Sequence, residues 1–189
     1  MKPRTFKLPA PPGAIIWTEE EDGVCYPNKI DSWCLSSNWD NMVCRWFWLK
    51  SKRPKEYICK ERPIDHFDYE MFLSKEDAIA AGKKIGESKE FGEKDIDTSR
   101  SKEVEYTFLG WIGQYVYVKC DGNICYQCKI DNVVIDENNT IHYSCCSVSS
   151  EERFIYKVFH DSDVGETVFV DEAQAARYGY KTMIYEWRF

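Results

Sequence analysis

Val24-Cys25-Tyr26-Pro27-Asn28-Lys29-Ile30-Asp31 is the stretch that decides the fold, because it returns one hundred residues later as Ile124-Cys125-Tyr126-Gln127-Cys128-Lys129-Ile130-Asp131. Five of the eight positions agree, and an Asp-Gly pair precedes each block, Asp22-Gly23 and Asp121-Gly122. Tyr57-Ile58-Cys59-Lys60 is answered by Phe154-Ile155-Tyr156-Lys157. Phe72-Leu73-Ser74, leading to Ala78 and Gly82, is answered by Phe169-Val170-Asp171, leading to Ala175 and Gly179. These later blocks recur at a spacing of 97, so order is kept and separation changes by three residues. Self-similarity at a fixed spacing reads as a degenerate tandem duplication.

Outward from that block, the local signals are mostly β. Ile15-Ile16-Trp17 is a short apolar strand, and Val24 to Cys34 a longer one that Pro27 bends near an edge. Met42 to Leu49 is the most apolar strand. Alternation puts Met42, Cys44, Trp46 and Trp48 on one face and Val43, Arg45, Phe47 and Leu49 on the other. Ser74, with Asp77 three residues on, caps a helix that Gly82 or Gly86 ends. Asp171, Gln174 and Gly179 repeat this grammar. Val104, Tyr106 and Phe108 alternate as a strand, Asp136 to Asn139 is a hairpin turn, and a last strand is expected from Met183 to Phe189. The prolines at 3, 9, 11 and 12 predict an extended arm over residues 1–13. The expected class is therefore α+β: two tandem related modules, each of several antiparallel strands followed by one short helix. Module 1 spans 14–86, a charged linker 87–103, and module 2 with its C-terminal strand 104–189.

Composition narrows the function classes. The net charge of −7 opposes general affinity for nucleic-acid phosphates. No apolar run approaches the ~20 residues of a membrane span, and the N-terminal residues lack a secretory h-region. The nine cysteines are scattered and one pair is adjacent (Cys145-Cys146), which points to reduced thiols in a cytoplasm. Cys120, Cys125, Cys128, Cys145 and Cys146 supply enough thiolates for a zinc site. Against it, Cys125 to Cys128 falls in a predicted strand rather than a knuckle turn, and the first copy has Asn28 where the second has Cys128. His66, His142 and His160 do not repeat between copies, and no nucleophile, phosphate-loop or metalloprotease motif accompanies them. The expectation is a non-enzyme without catalytic, cofactor or metal residues. Five of the seven tryptophans (Trp17, Trp33, Trp39, Trp46, Trp48) lie in the first copy. Trp beside Arg is the composition of interface anchors, so Trp39, Arg45, Trp46 and Trp48 are the candidate partner-binding residues. A Trp-rich core is the alternative.

Val164-Gly165-Glu166-Thr167-Val168-Phe169-Val170-Asp171-Glu172-Ala173, and the reduced Met71-Phe72-Leu73-Ser74-Lys75-Glu76-Asp77-Ala78, resemble a module of short proteins from phages and mobile elements of low-GC Gram-positive bacteria. That resemblance covers roughly residues 15–86 and 115–180, and its motif carries no catalytic residue. It implies an anti-defence protein of the anti-CRISPR class, acting in the bacterial cytoplasm by stoichiometric binding to a basic nucleic-acid-handling enzyme, Cas9 foremost. The competing readings are a nucleic-acid-binding module, using the basic arm and exposed aromatics, and a zinc-stabilised interaction module.

Overall fold

The computed structural model describes residues 3–36, 41–49, 57–87, 102–120, 122–148 and 154–183. One order of elements runs twice. The first half has β1 (Arg4–Leu8), β2 (Ile15–Glu19), β3 (Val24–Ser36), β4 (Val43–Leu49) and β5 (Tyr57–Pro63), then a 3-10 turn (Ile64–His66), β6 (Met71–Phe72), α1 (Lys75–Ala80) and β7 (Lys84–Ile85). The second has β8 (Val104–Phe108), β9 (Tyr115–Lys119), β10 (Ile124–Ile135), β11 (Ile141–Val148) and β12 (Phe154–Phe159), then a 3-10 turn (Asp161–Asp163), β13 (Val168–Phe169), α2 (Glu172–Arg177) and β14 (Lys181–Met183).

Register repeats with the elements. Ile15 pairs with Lys29 and Tyr115 with Lys129, while Trp17 pairs with Phe72 and Tyr117 with Phe169. Gly13 N donates to Ile30 O, and Gly113 N to Ile130 O, both at 2.8 Å. Both glycines sit at φ +82°, which explains their retention where a side chain would be strained. The repeated Lys-Ile-Asp marks a β-bulge: register shifts between Ile30 and Ser32 in one half and between Ile130 and Asn132 in the other. Before the bulge, β3 and β10 pair with β2 and β9. Their pairing with β4 and β11 begins at Ile30 and Lys129 and continues beyond it. A bulge bends its strand and deepens its twist, so Asp31 and Asp131 stand where each long strand passes from a flanking sheet into a central one. Pro27 lies beyond the last residue that pairs with β7, where a missing N–H costs least.

The two halves join strand to strand. β3 pairs with β10 antiparallel (Trp33 to Ile135, Cys34 to Val134, Leu35 to Val133), and β1 pairs with β8 about Phe6 and Tyr106. With equivalent residues one hundred apart, both pairings are symmetric: Cys34 faces its own counterpart, and so does Phe6. A pseudo-two-fold axis passes through both pairs, as in an isologous dimer interface. The central sheet thus runs β5-β4-β3-β10-β11-β12, within a twelve-stranded assembly.

This corrects the expected class. The molecule is mostly β, 54% strand and 13% helix, with a large antiparallel sheet rather than tandem α+β modules. The helices have six residues each and bury one residue apiece, Ala78 and Ala175. That is too little apolar surface to form a layer, whereas the long strands bridge the halves. The expected N-terminal arm is likewise replaced by structure. Arg4–Leu8 is a strand, Leu8 and Ala10 are fully buried, and the Trp33 indole donates to Ala10 O at 2.9 Å. Pro3 precedes the strand and Pro9, Pro11 and Pro12 follow it, so none interrupts it. Of the expected Met183–Phe189 strand only Met183 is described, as the last residue of β14; the rest lies outside the described residues, as does most of the 87–103 linker.

One core spans both halves, from Leu8, Ile16, Trp33 and Trp46 to Phe108, Val133, Tyr143 and Phe159. Two satellite clusters stand at equivalent places under the helices: Trp17, Cys25, Phe72 and Ala78, and Tyr117, Cys125, Phe169 and Ala175. The tryptophan imbalance is a packing exchange. Cys44 opposite Trp33 and Trp46 opposite Ile30 become Tyr143 opposite Val133 and Cys145 opposite Ile130. Tyr143 in place of Cys44 offsets part of the volume lost where Val133 and Cys145 stand in place of Trp33 and Trp46.

Candidate functional site

The four candidate partner-binding residues divide. Trp46 is 1% exposed and belongs to the main core, so it is not a surface anchor. Arg45 alternates to the opposite face of β4, half-buried, where its Nε donates to the carboxylate of Glu61, the residue paired with it across β5. Trp48 lies in β4, but its side chain is outside what the structure describes, and Trp39 is outside the described residues altogether. The tryptophan and arginine of the candidate set thus face away from each other.

Trp46 instead borders a buried polar network. Asn28 Nδ2 donates to Thr18 Oγ1 at 2.7 Å, and Thr18 Oγ1 donates to Glu20 Oε1 at 3.1 Å. Lys60 Nζ stands 3.8 Å from Glu20 and 3.2 Å from Glu21. The Glu20 side chain is 8% exposed. Burial pushes its carboxyl above the ordinary range, against the opposing pull of Lys60, Thr18 and Arg62. Trp46 Nε1 lies by the same carboxylate without reaching hydrogen-bond geometry and has no partner. By register, the second half answers Thr18, Asn28 and Trp46 with Val118, Cys128 and Cys145. The same place is a charged network in one half and apolar residues and thiols in the other.

That equivalence decides the cysteines. Cys128 and Cys145 sit together in the main core, and Cys145 Sγ contacts Lys157 O at 3.6 Å. Cys125 belongs to the satellite cluster, and Cys146, alternating with Cys145, faces the other side of β11. The zinc set proposed from spacing is therefore split among three surroundings. Among the described residues no three His, Cys, Asp or Glu side chains are grouped to hold a metal ion. Burial pushes the Cys25 and Cys34 thiols up to about 11, and Cys44 well above its ordinary value. Such thiols stay protonated at neutral pH and make poor nucleophiles.

The histidines are tied to carboxylates and carbonyls. His66 Nδ1 lies 2.9 Å from Glu70 Oε2, which also accepts from Arg62 Nε at 3.1 Å. His142 Nε2 lies 2.8 Å from Asp136 Oδ2, and the His142 and His160 rings meet edge-on with centroids 4.5 Å apart. His160 Nδ1 faces Ile141 O at 3.4 Å. The basic residues of the supposed arm are also engaged, Lys7 with Glu103 at 3.0 Å and Arg4 over the Trp111 ring at 5.2 Å.

Each half also carries an acidic surface segment. Between the 3-10 turn and the first helical turn, the first half carries Asp65, Asp68, Glu70, Glu76 and Asp77, and the second carries Asp161, Asp163, Glu166, Asp171 and Glu172. All but Glu70 and Asp163 are exposed. Inside these segments the halves keep Phe72/Phe169 and Ala78/Ala175 for packing. The acidic residues fall at different places, Asp65 against Ser162, Asp68 against Gly165 and Glu76 against Ala173, so the segments share net charge and not charged positions. The common negative charge was present in the sequence and is found by counting charge over the two segments rather than by matching positions. The equivalence of Trp46 with Cys145 was not, because it needs the strand register. Comparison with known proteins gives no match: no family model fits this chain, and no curated protein or solved structure is similar to it.

Proposed function

We propose that the protein acts by occupancy, binding a basic nucleic-acid-handling protein and blocking it without turnover. A CRISPR nuclease, Cas9 foremost, is the partner that the phage-module resemblance favours, and the site of action is then the bacterial cytoplasm. The observation that carries this reading is the paired acidic segments, 65–77 and 161–172, placed at equivalent positions of a two-fold body. Net negative charge present in both segments, though carried at different positions, suits a positively charged channel, which steers and holds an anionic ligand. Cys25, Cys34 and Cys44, kept protonated by burial, are poor nucleophiles, which favours binding over chemistry. The test is a cleavage assay with guide-loaded nuclease, titrated against enzyme concentration. Inhibition should saturate near one or two equivalents and weaken with added salt, because screening shortens the field to about 8 Å at physiological ionic strength. Replacing Asp65, Asp68, Asp161 and Glu166 by Lys should abolish it while the variant stays folded. Inhibition at strongly sub-stoichiometric amounts, or none across several Cas9 enzymes, would sink the reading.

A further inference from the structure

The pseudo-two-fold makes β5 and β12 equivalent edges of the central sheet, and among the described residues neither has a partner on its outer side. Their protection differs. An edge strand exposes a row of unpaired N–H and C=O groups and is normally guarded by charge or proline. On β5, Lys60 is bound to Glu20 and Glu21, Glu61 to Arg45 and Arg62 to Glu70, and Pro63 removes a backbone donor. Lys157 keeps the place of Lys60, but at the places of Cys59, Glu61, Arg62 and Pro63, β12 and the residue after it carry Tyr156, Val158, Phe159 and His160. Phe159 turns inward to stack on Tyr143. Tyr156 and Val158 face away from the core and are 64% and 46% exposed. Tyr156 is braced across β11, its hydroxyl donating to Ser144 Oγ at 3.0 Å.

We propose that β12 is a strand-pairing edge through which two copies of this chain associate. Antiparallel pairing centred on Tyr156 sets Tyr156 against its own counterpart, Lys157 against Ile155 and Val158 against Phe154. No like charges meet in that register, and an aromatic pair at the centre is a favourable cross-strand contact. The fold already uses this geometry, since β3 and β10 pair antiparallel about a two-fold axis. The guarded β5 edge stops the sheet from growing further, so the contact is isologous and closes at a dimer rather than running on as a fibre.

Sedimentation velocity of the full chain, over a series reaching high-micromolar concentration, tests this. The wild type should shift from monomer to dimer and go no further. Val158→Glu, which gives β12 the residue that β5 has at the same place, should raise the dimer Kd by about tenfold or more. Its far-ultraviolet circular dichroism and melting temperature should be unchanged. Cys59→Ser, on the guarded edge, should associate as the wild type does. A wild-type chain that stays monomeric throughout, a dimer that Val158→Glu leaves intact, or assembly into open polymers would each overturn the proposal. Because the readout is self-association, it stands or falls separately from nuclease inhibition.

Discussion

Trp46 shows what alternation along a strand settles and what it leaves open. The pattern Met42, Cys44, Trp46 against Val43, Arg45 was readable, but not which face was the core. Only the register, with Trp46 opposite Ile30 and Lys60, places it inside. Trp46→Ala should therefore destabilise the fold by about 3–5 kcal/mol, as truncation of a buried aromatic does. Urea denaturation followed by circular dichroism would measure it, and a loss of under about 1 kcal/mol, typical of surface changes, would return Trp46 to the surface. Two carboxylates set the acid limb of stability. The hydrogen bond from His66 chiefly holds the Glu70 carboxyl below its usual value, aided by Arg62. Burial pushes Asp136 up, but His142 and the amides of Thr140 and Asn138 outweigh it, and the net shift is down. A depressed folded pKa contributes stability that is complete above the unfolded value and is lost as pH falls through the folded one. Stability should thus drop below about pH 4, where unperturbed carboxylates begin to protonate. The Glu70→Gln/Asp136→Asn double variant should be less stable than wild type at neutral pH and lose less on acidification. Parallel curves for the two proteins in urea titrations at neutral and acid pH would contradict this.

The elements were read most accurately where local chemistry governs them. Ser74 accepts from Asp77 N and Asp171 from Gln174 N, as the capping pattern implies, and Gly82 and Gly179 follow the helices at φ +77° and +82°. The Asp136–Asn139 turn also falls between β10 and β11, with Asn139 at φ +62°. Ser74→Ala and Asp171→Ala should each cost about 1 kcal/mol, and by nearly equal amounts, because the caps serve equivalent six-residue helices. Thermal melts of the two single variants would check it, and a several-fold difference would show that the halves are energetically unequal. The misreadings lay where local chemistry is ambiguous. A proline-dense segment reads as an extended arm, and nothing within Arg4–Leu8 announces that Val104–Phe108 is its partner. Helix-forming residues suggested a helical layer, but six residues bury too little to make one. The repeated Lys-Ile-Asp stood out in the sequence, yet its meaning, a bulge where a strand changes sheets, depends on pairings a hundred residues away.

At the scale of the whole molecule, duplication was readable and fusion was not. Two copies in tandem are compatible with beads on a string, and composition does not distinguish that from interlocked halves. The interlocking rests on two symmetric strand pairings, β3 with β10 and β1 with β8, and on a core that draws from both halves. Neither half closes its central sheet alone, so the halves should unfold together as one cooperative unit. The most direct test is nuclear magnetic resonance of the folded chain, reading cross-strand main-chain Overhauser contacts. Contacts between residues 33–35 and 133–135, centred on Cys34 and Val134, together with a second set about Phe6 and Tyr106, are the predicted result. Strand contacts confined within residues 3–87 and within 102–183, with none joining the two, would contradict the two-fold body on which the account rests.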